Sequence, residues 1–250
     1  MKFILLLLLP TLSHAFTLNN SIGARYKEDR VQVRAGLNSS CVNVDMQEVA
    51  SLIQPAIKDF WNTVPTSRLI LEDGGSFDVS NSFVTGKLCL IGASDCTSGI
   101  PAVTDIVITC NTNAADNFTN SALLALTLPT VISGKDIRGS VVIINENSTN
   151  FKNLNTNQKI SVISHEIGHA IGLGHSDDRS SLMYFSVVPV RNDLGRDDID
   201  GVSYLYPVQG DMFGLGCFLG STDSRDGMWP TALLGFLLAI FLGRRIKRES

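Results

Sequence analysis

The apolar positions follow two periods along most of the first two hundred residues. Arg30-Val-Gln-Val-Arg34 alternates polar and apolar, the pattern of a half-buried strand. Val49, Leu52, Ile53, Ala56, Ile57 and Phe60 then recur at helical spacing up to Trp61, with Asn43 or Asp45 placed to cap the helix. Arg68 to Leu71 predicts a short strand ended by Asp73-Gly74-Gly75. Ile106 to Cys110 and Ser140 to Asn145 are near-continuous β-branched apolar runs, the pattern of buried strands. A helix capped by Asn155 or Thr156 runs through Ile160, Val162, Ile163, Ile167 and Ala170 and ends at Gly172 or Gly174. Asp197 to Leu205 predicts a last helix. The stretch from Asn111 to Asp136 carries no clear period and is left unassigned. Strands alternating with helices, without internal repeats, imply an α/β (α+β) sandwich on a mostly parallel sheet.

Both ends of the 250-residue chain break this pattern. Lys2, the apolar run Phe3 to Leu9 and Ser13-His14-Ala15 predict a signal peptide over residues 1–15. Residues 16–208 are then the folded domain and 209–227, with Gly210, Gly214, Gly216 and Gly220, a linker. Residues 228–243 form a second apolar run, followed by a basic tail, 244–250, with Arg244, Arg245, Lys247 and Arg248. Sixteen helical residues reach about 24 Å, short of a hydrocarbon core of about 30 Å. Trp229 at the interface and snorkelling arginines would let the run span, with the basic end inside. The layout is equally similar to a bacterial C-terminal sorting tag, and a bacterial source is the expected one. Either way, the expected protein is exported and held at a membrane or cell surface, with its folded domain outside the cytoplasm.

Charge and cysteine change this picture little. A net charge of −4, with no basic patch outside the extreme C-terminus, argues against nucleic-acid partners. Cys41, Cys89, Cys96 and Cys110 lie where disulfides persist, and four cysteines allow three pairings. Cys41 with Cys110 and Cys89 with Cys96 is the favoured one, leaving Cys217 over. Sequons stand at Asn19, Asn38, Asn117 and Asn147.

The chemistry is concentrated in "HEIGHAIGLGHS", His165 to Ser176. Residues i and i+4 of a helix lie about 40° apart around the axis, so His165 and His169 share a face and can converge on one Zn²⁺. Glu166 is swung about 100° further round, beside a metal rather than on it. Gly172 lets the chain leave the helix, and His175 can return as the third ligand. Three neutral imidazoles leave zinc an open position, where a bound water's pKa falls toward about 7, with Glu166 as general base. The five fixed positions would arise by chance in roughly a few chains per million of this composition. Of the four histidines, His14 is expected to leave with the signal peptide, so all those remaining lie in the motif.

These residues resemble the metzincin signature HExxHxxGxxH followed by a Met-turn, here Met183 in "SLMY". Ser176 and Asp178 resemble the matrixin branch. The branches with an extra tyrosine ligand fit worse, because Phe185 holds that position. "FWNTVPTSRLIL", "GSVVIIN" and "DDIDGVSYLY" extend the resemblance over roughly Val31 to Tyr206. It implies a zincin catalytic domain: a twisted, mostly parallel sheet with one antiparallel edge strand, an active-site helix and a C-terminal helix. It also implies a zinc-dependent endopeptidase acting on peptide or protein substrates, with one catalytic zinc and Met183 as a floor beneath it. An extended peptide would pair with Val141, Val142, Ile143 and Ile144, taken as the edge strand, while Phe185, Val187 and Val188 would line an apolar S1′ wall. The valines have the plainer alternative of simply packing. About fifteen residues separate the signal peptide from the first strand, so no propeptide is expected; no PRCGxPD-type cysteine switch is present, and the histidines that a second, structural zinc needs are lacking. Calcium near Asp105, Asp116 or Asp136 is left open without assignment, and a monomer is assumed. The competing class is a catalytically silent binding or adhesion protein on the same fold; the intact Glu166 speaks against it.

Overall fold

In the computed structural model, residues 16–88, 104–118, 120, 122–186 and 190–208 are described. The elements in chain order are β1 (Arg25–Tyr26), β2 (Arg30–Leu37), α1 (Met46–Lys58), a 3-10 turn at Trp61–Thr63, β3 (Ile70–Asp78), α2 (Asn81–Thr85), β4 (Ile106–Asn111), α3 (Ala114–Asn117), β5 (Ala125–Ser133), β6 (Asp136–Asn145), α4 (Thr149–Lys152), α5 (Thr156–Ala170) and α6 (Arg196–Leu205). The sheet runs β1-β6-β4-β2-β3, every pair parallel, and β5 joins β6 antiparallel. The mostly parallel α/β architecture with one antiparallel edge strand is therefore the observed one. α1 packs on β2, β3 and α5, while α5 packs on β5 and β6.

Local sequence accounts for most of these elements. Asp45 caps α1 by accepting from the Gln47 and Glu48 amides, and its apolar stripe from Val49 to Ile57 is buried. Asn155 and Gln158 close a capping box at the start of α5. β4 is buried at all six positions, as a strand with neighbours on both sides should be. Cys41 and Cys110 form a disulfide that ties the approach to α1 to the end of β4. Beside it the buried Glu146 carboxylate accepts from the Val42, Asn43 and Val44 amides and fixes the same loop.

Three expectations need correction. β3 does not stop at Asp73-Gly74-Gly75; it continues to Asp78. Its register against β2 slips by one residue there, from Val33↔Asp73 to Ala35↔Ser76, with Gly75 at φ 72°. The glycines mark a bulge, not an end. The unassigned stretch holds α3 and the whole of β5. Finally, Val141, Val142, Ile143 and Ile144 are not an edge. They pair with Val107 to Cys110 on one side and with Ala125 to Leu128 on the other, and all are at most 1% exposed. Their main-chain groups are spent inside the sheet, and β5 is the edge beside the cleft.

The expected signal peptide, the linker, the C-terminal apolar run, the Cys89–Cys96 pair, Cys217, Val187 and Val188 lie outside the described residues. Among the described residues, no helix is long and apolar enough to cross a membrane.

Candidate metal centre

α5 carries His165, Glu166 and His169 in its last two turns, over the antiparallel edge of the sheet. The helix end is pinned by satisfying its final carbonyls. Ser140 Oγ donates to Ala170 O, the Tyr206 hydroxyl to Ile171 O, and Asn19 Nδ2 to His169 O. Gly172 then turns the chain with φ 110°, and a Cβ there would meet the Ala24 carbonyl oxygen at 2.6 Å. Only glycine meets both conditions, and the turn brings His175 back over the helix.

The three rings gather with centroids 4.7–5.4 Å apart. One nitrogen from each lies within 4.8 Å of the others, and the His169 and His175 Nε2 atoms are 3.2 Å apart. Two nitrogens at about 2.0–2.1 Å from one tetrahedral ion would be about 3.3 Å apart. Nδ1–H of His165 donates to Leu182 O at 2.7 Å, and Nδ1–H of His169 to Leu173 O at 2.8 Å. Those bonds fix the tautomer that leaves each Nε2 lone pair for a ligand. Burial pushes the pKa of both rings down to about 4, which keeps them neutral and able to coordinate. Donor set, spacing and protonation thus fit a tetrahedral Zn²⁺ with its fourth position open.

The floor is held from below. Gly168 lets the helix settle on Met183 and Trp61: a Cβ there would fall against the Met183 sulfur and 2.6 Å from Trp61 Cζ2. The Trp61 indole N–H donates to Ser164 O at 2.8 Å. The Met-turn hangs on Asp198, which is 2% exposed. Its carboxylate accepts from Ser181 Oγ, from the amides of Leu182 (2.6 Å) and Met183 (3.0 Å), and from Gly195 N at 2.7 Å. Burial raises its pKa above the usual carboxylate range, opposed by these donors. Leu182 is the link: its N–H is held by Asp198 and its carbonyl holds His165. Sequence reasoning missed Asp198 and Trp61; acidic residues opening a helix and an aromatic after one are each too common to single out.

Glu166 is buried to 9% exposure and faces a cleft of about 680 Å³. Thr17 to Asn19, Ala122 to Thr127, the three histidines, Phe185 and Ser186 line it. Phe185 stands on the rim, 65% exposed, with its ring 4.3 Å from that of Tyr184. Arg191, 7% exposed, donates to Arg179 O before the Met-turn and to Ser186 O after it. Val141 to Ile144, placed at the cleft by the sequence reading, lie one strand further in. Among the described residues, Asp105, Asp116 and Asp136 belong to no cluster of three metal-ligating side chains, so no calcium site is shown. Cys41, Cys110 and Glu146 do lie together, but both sulfurs are spent in the disulfide.

Two histidines at the end of a helix and a third beyond its glycine turn thus gather under an antiparallel edge strand and over a methionine turn. Residues 11–207 match the matrixin family, and the chain belongs to it. The chain is 48% identical over 50 residues to a "Probable matrix metalloproteinase 095L" of Invertebrate iridescent virus 3, covering 20% of this chain and 14% of the relative. It is 50% identical over 50 residues to "Metalloendoproteinase 1" of Glycine max, covering 19% and 16%. With "Matrix metalloproteinase-27" of Tupaia belangeri it shares 48% over 48 residues, covering 18% and 9%. The matched stretch is therefore a small fraction of each relative's length. These relatives are viral, plant and mammalian and lend no support to a bacterial origin. The comparisons likewise give none to a signal peptide or a C-terminal anchor.

Proposed function

We propose that this chain is a zinc-dependent metalloendopeptidase, with His165, His169 and His175 as the metal ligands and Glu166 as general base. The observation that carries the reading is the convergence of three imidazoles, two of them held in one tautomer by backbone carbonyls, beside a buried glutamate that opens onto a cleft. A zinc ion held there supplies Lewis acidity toward a peptide carbonyl and acidifies water. Glu166 takes a proton from the attacking water as the new C–O bond forms. It delivers that proton to the amine nitrogen as the C–N bond breaks.

The peptide lies along β5 rather than β6. β5 pairs only with β6 among the described strands, so its outer N–H and C=O groups are placed to take an extended chain by strand addition. Phe185 and Ser186 border the side of the cleft where the residue after the scissile bond would sit. A disulfide between Cys41 and Cys110 suits an oxidising compartment and supports a domain working outside the cytoplasm. Export by residues 1–15 and anchoring by residues 228–243 belong to the same reading. Comparing the full chain with one stopped at Gly216 tests the anchor: equal release of both into the medium ends it.

The decisive experiment is a diverse peptide library offered to the full chain carrying one zinc. Cleavage is expected, with an apolar preference just after the scissile bond. Loaded protein that cuts nothing overturns the reading.

A further inference from the structure

Thr127 lies in β5, opposite Val142 of β6, and its side chain reaches across to α5. Its Oγ1 is 2.5 Å from Glu166 Oε2 and 3.2 Å from the Glu166 carbonyl oxygen. Among the described residues, it is the one hydrogen-bond donor to the Glu166 carboxylate. The other residues of this segment that line the cleft, Ala122 to Leu126, are apolar and offer no substitute. Thr127 is half-buried and lines the cleft with Glu166 and the three histidines.

A glutamate has three side-chain torsions, and a general base works only from one narrow position. Misplacing a reacting group by about 1 Å costs on the order of a hundredfold in rate. Threonine suits the task of holding it. A β-branched side chain on a strand is restricted at χ1, so its hydroxyl is a donor of fixed direction. The hydroxyl has a single proton to give, and the short contact directs it to Oε2. Oε1 is then the oxygen left to receive a proton from the cleft.

We propose that Thr127 is a positioning residue whose hydroxyl holds the Glu166 carboxylate in its working orientation. The inference rests on the reading of Glu166 as general base.

Thr127→Val tests it in the full chain, because valine keeps the shape and the strand preference and removes only the hydroxyl. With one zinc per chain retained, kcat should fall about tenfold, while KM stays within about twofold. Thr127→Ser should bring kcat back to within about threefold of the parent. Thr127→Ala serves in place of the valine variant if that one does not fold. A second readout needs no activity. In metal-free crystals the parent should hold Glu166 in one rotamer, and the valine variant should spread it over several. An unchanged kcat in the valine variant, a serine variant as slow as valine, or an unmoved Glu166 overturns the proposal. If the zinc-loaded parent itself cuts nothing, the general-base reading fails, and the crystals alone decide whether Thr127 holds Glu166.

Discussion

The two sides of the cleft are built on opposite plans. On the floor, α5 and the Met-turn, the groups that support the centre from below are tied to buried partners. His165 leans on Leu182, Leu182 hangs from Asp198, and Trp61 braces Ser164. On the wall, β5 offers an edge with one strand neighbour among the described residues, and Phe185 is largely exposed. The floor holds atoms that must meet a metal within tenths of an ångström, while the wall holds main-chain groups that must accept many peptides. Rigidity is thus placed where coordination and proton transfer demand it, and open hydrogen-bonding capacity where recognition demands it.

The comparison can be broken most sharply at Glu166. Glu166→Ala should lower kcat by about 10²–10⁴-fold, the usual worth of a general base, and leave one zinc per chain and the fold intact. Zinc analysis beside peptide-cleavage kinetics checks this; loss of zinc with activity would make Glu166 a floor residue like Asp198. Asp198→Ala is the next largest. It strands the Leu182 and Gly195 amides and the Ser181 hydroxyl, and it should cost about 3 kcal/mol of stability. It should also weaken zinc binding, because Leu182 loses its anchor. A chemical-denaturation curve with a parent-like midpoint would show that the Met-turn stands without it.

The floor was legible in the sequence and the wall was not, for one physical reason. His165, Glu166 and His169 are placed by helix spacing, and His175 by a glycine turn, so eleven consecutive positions define the centre. Asp45 and Asn155 announced their helices because a cap is also local. β5 is a strand only because β6 is there to pair with. It has no clean alternation, and Pro129 sits within it, tolerable at an edge and misleading in a run. Gly134, at φ 63° in the tight turn between β5 and β6, was the available signal for a hairpin. The run Val141 to Ile144 resembles an edge strand by its place in the family pattern, yet an unbroken apolar stretch is the pattern of a strand enclosed on both faces. Thr127 and Asp198 act on residues far along the chain, and nothing in their own neighbourhood marks them.

The floor should also reveal itself by pH. In the metal-free protein His165 and His169 have pKa values near 4 against an ordinary 6.5. Below pH 6.5 the unfolded chain takes up protons that the fold refuses until about pH 4. Their neutral burial is therefore compatible with full stability above that window, and stability is lost as pH falls through it. The urea midpoint of metal-free protein should drop steadily from pH 6.5 to 4. Zinc at about 100 times its Kd should add about 2.7 kcal/mol at neutral pH. A midpoint flat across the window would mean that the rings are not buried as the floor requires.

The smallest expected effect separates floor from wall at the point where they join. Arg191 reaches Arg179 O and Ser186 O, and its guanidinium lies 5.2 Å from the centre of the Tyr184 ring. It therefore spans the Met-turn and fastens the first residues of the wall to the floor. Arg191→Met keeps the apolar stem and removes the donors. It should cost about 1–2 kcal/mol. Zinc affinity should hold, because no ligand depends on those carbonyls. What should change is selectivity: KM for peptides with a bulky residue after the scissile bond should rise about threefold with kcat nearly constant, the sign of lost ground-state binding. Equal loss in kcat and in zinc binding would place Arg191 with the floor, and the boundary between the two plans would move past Ser186.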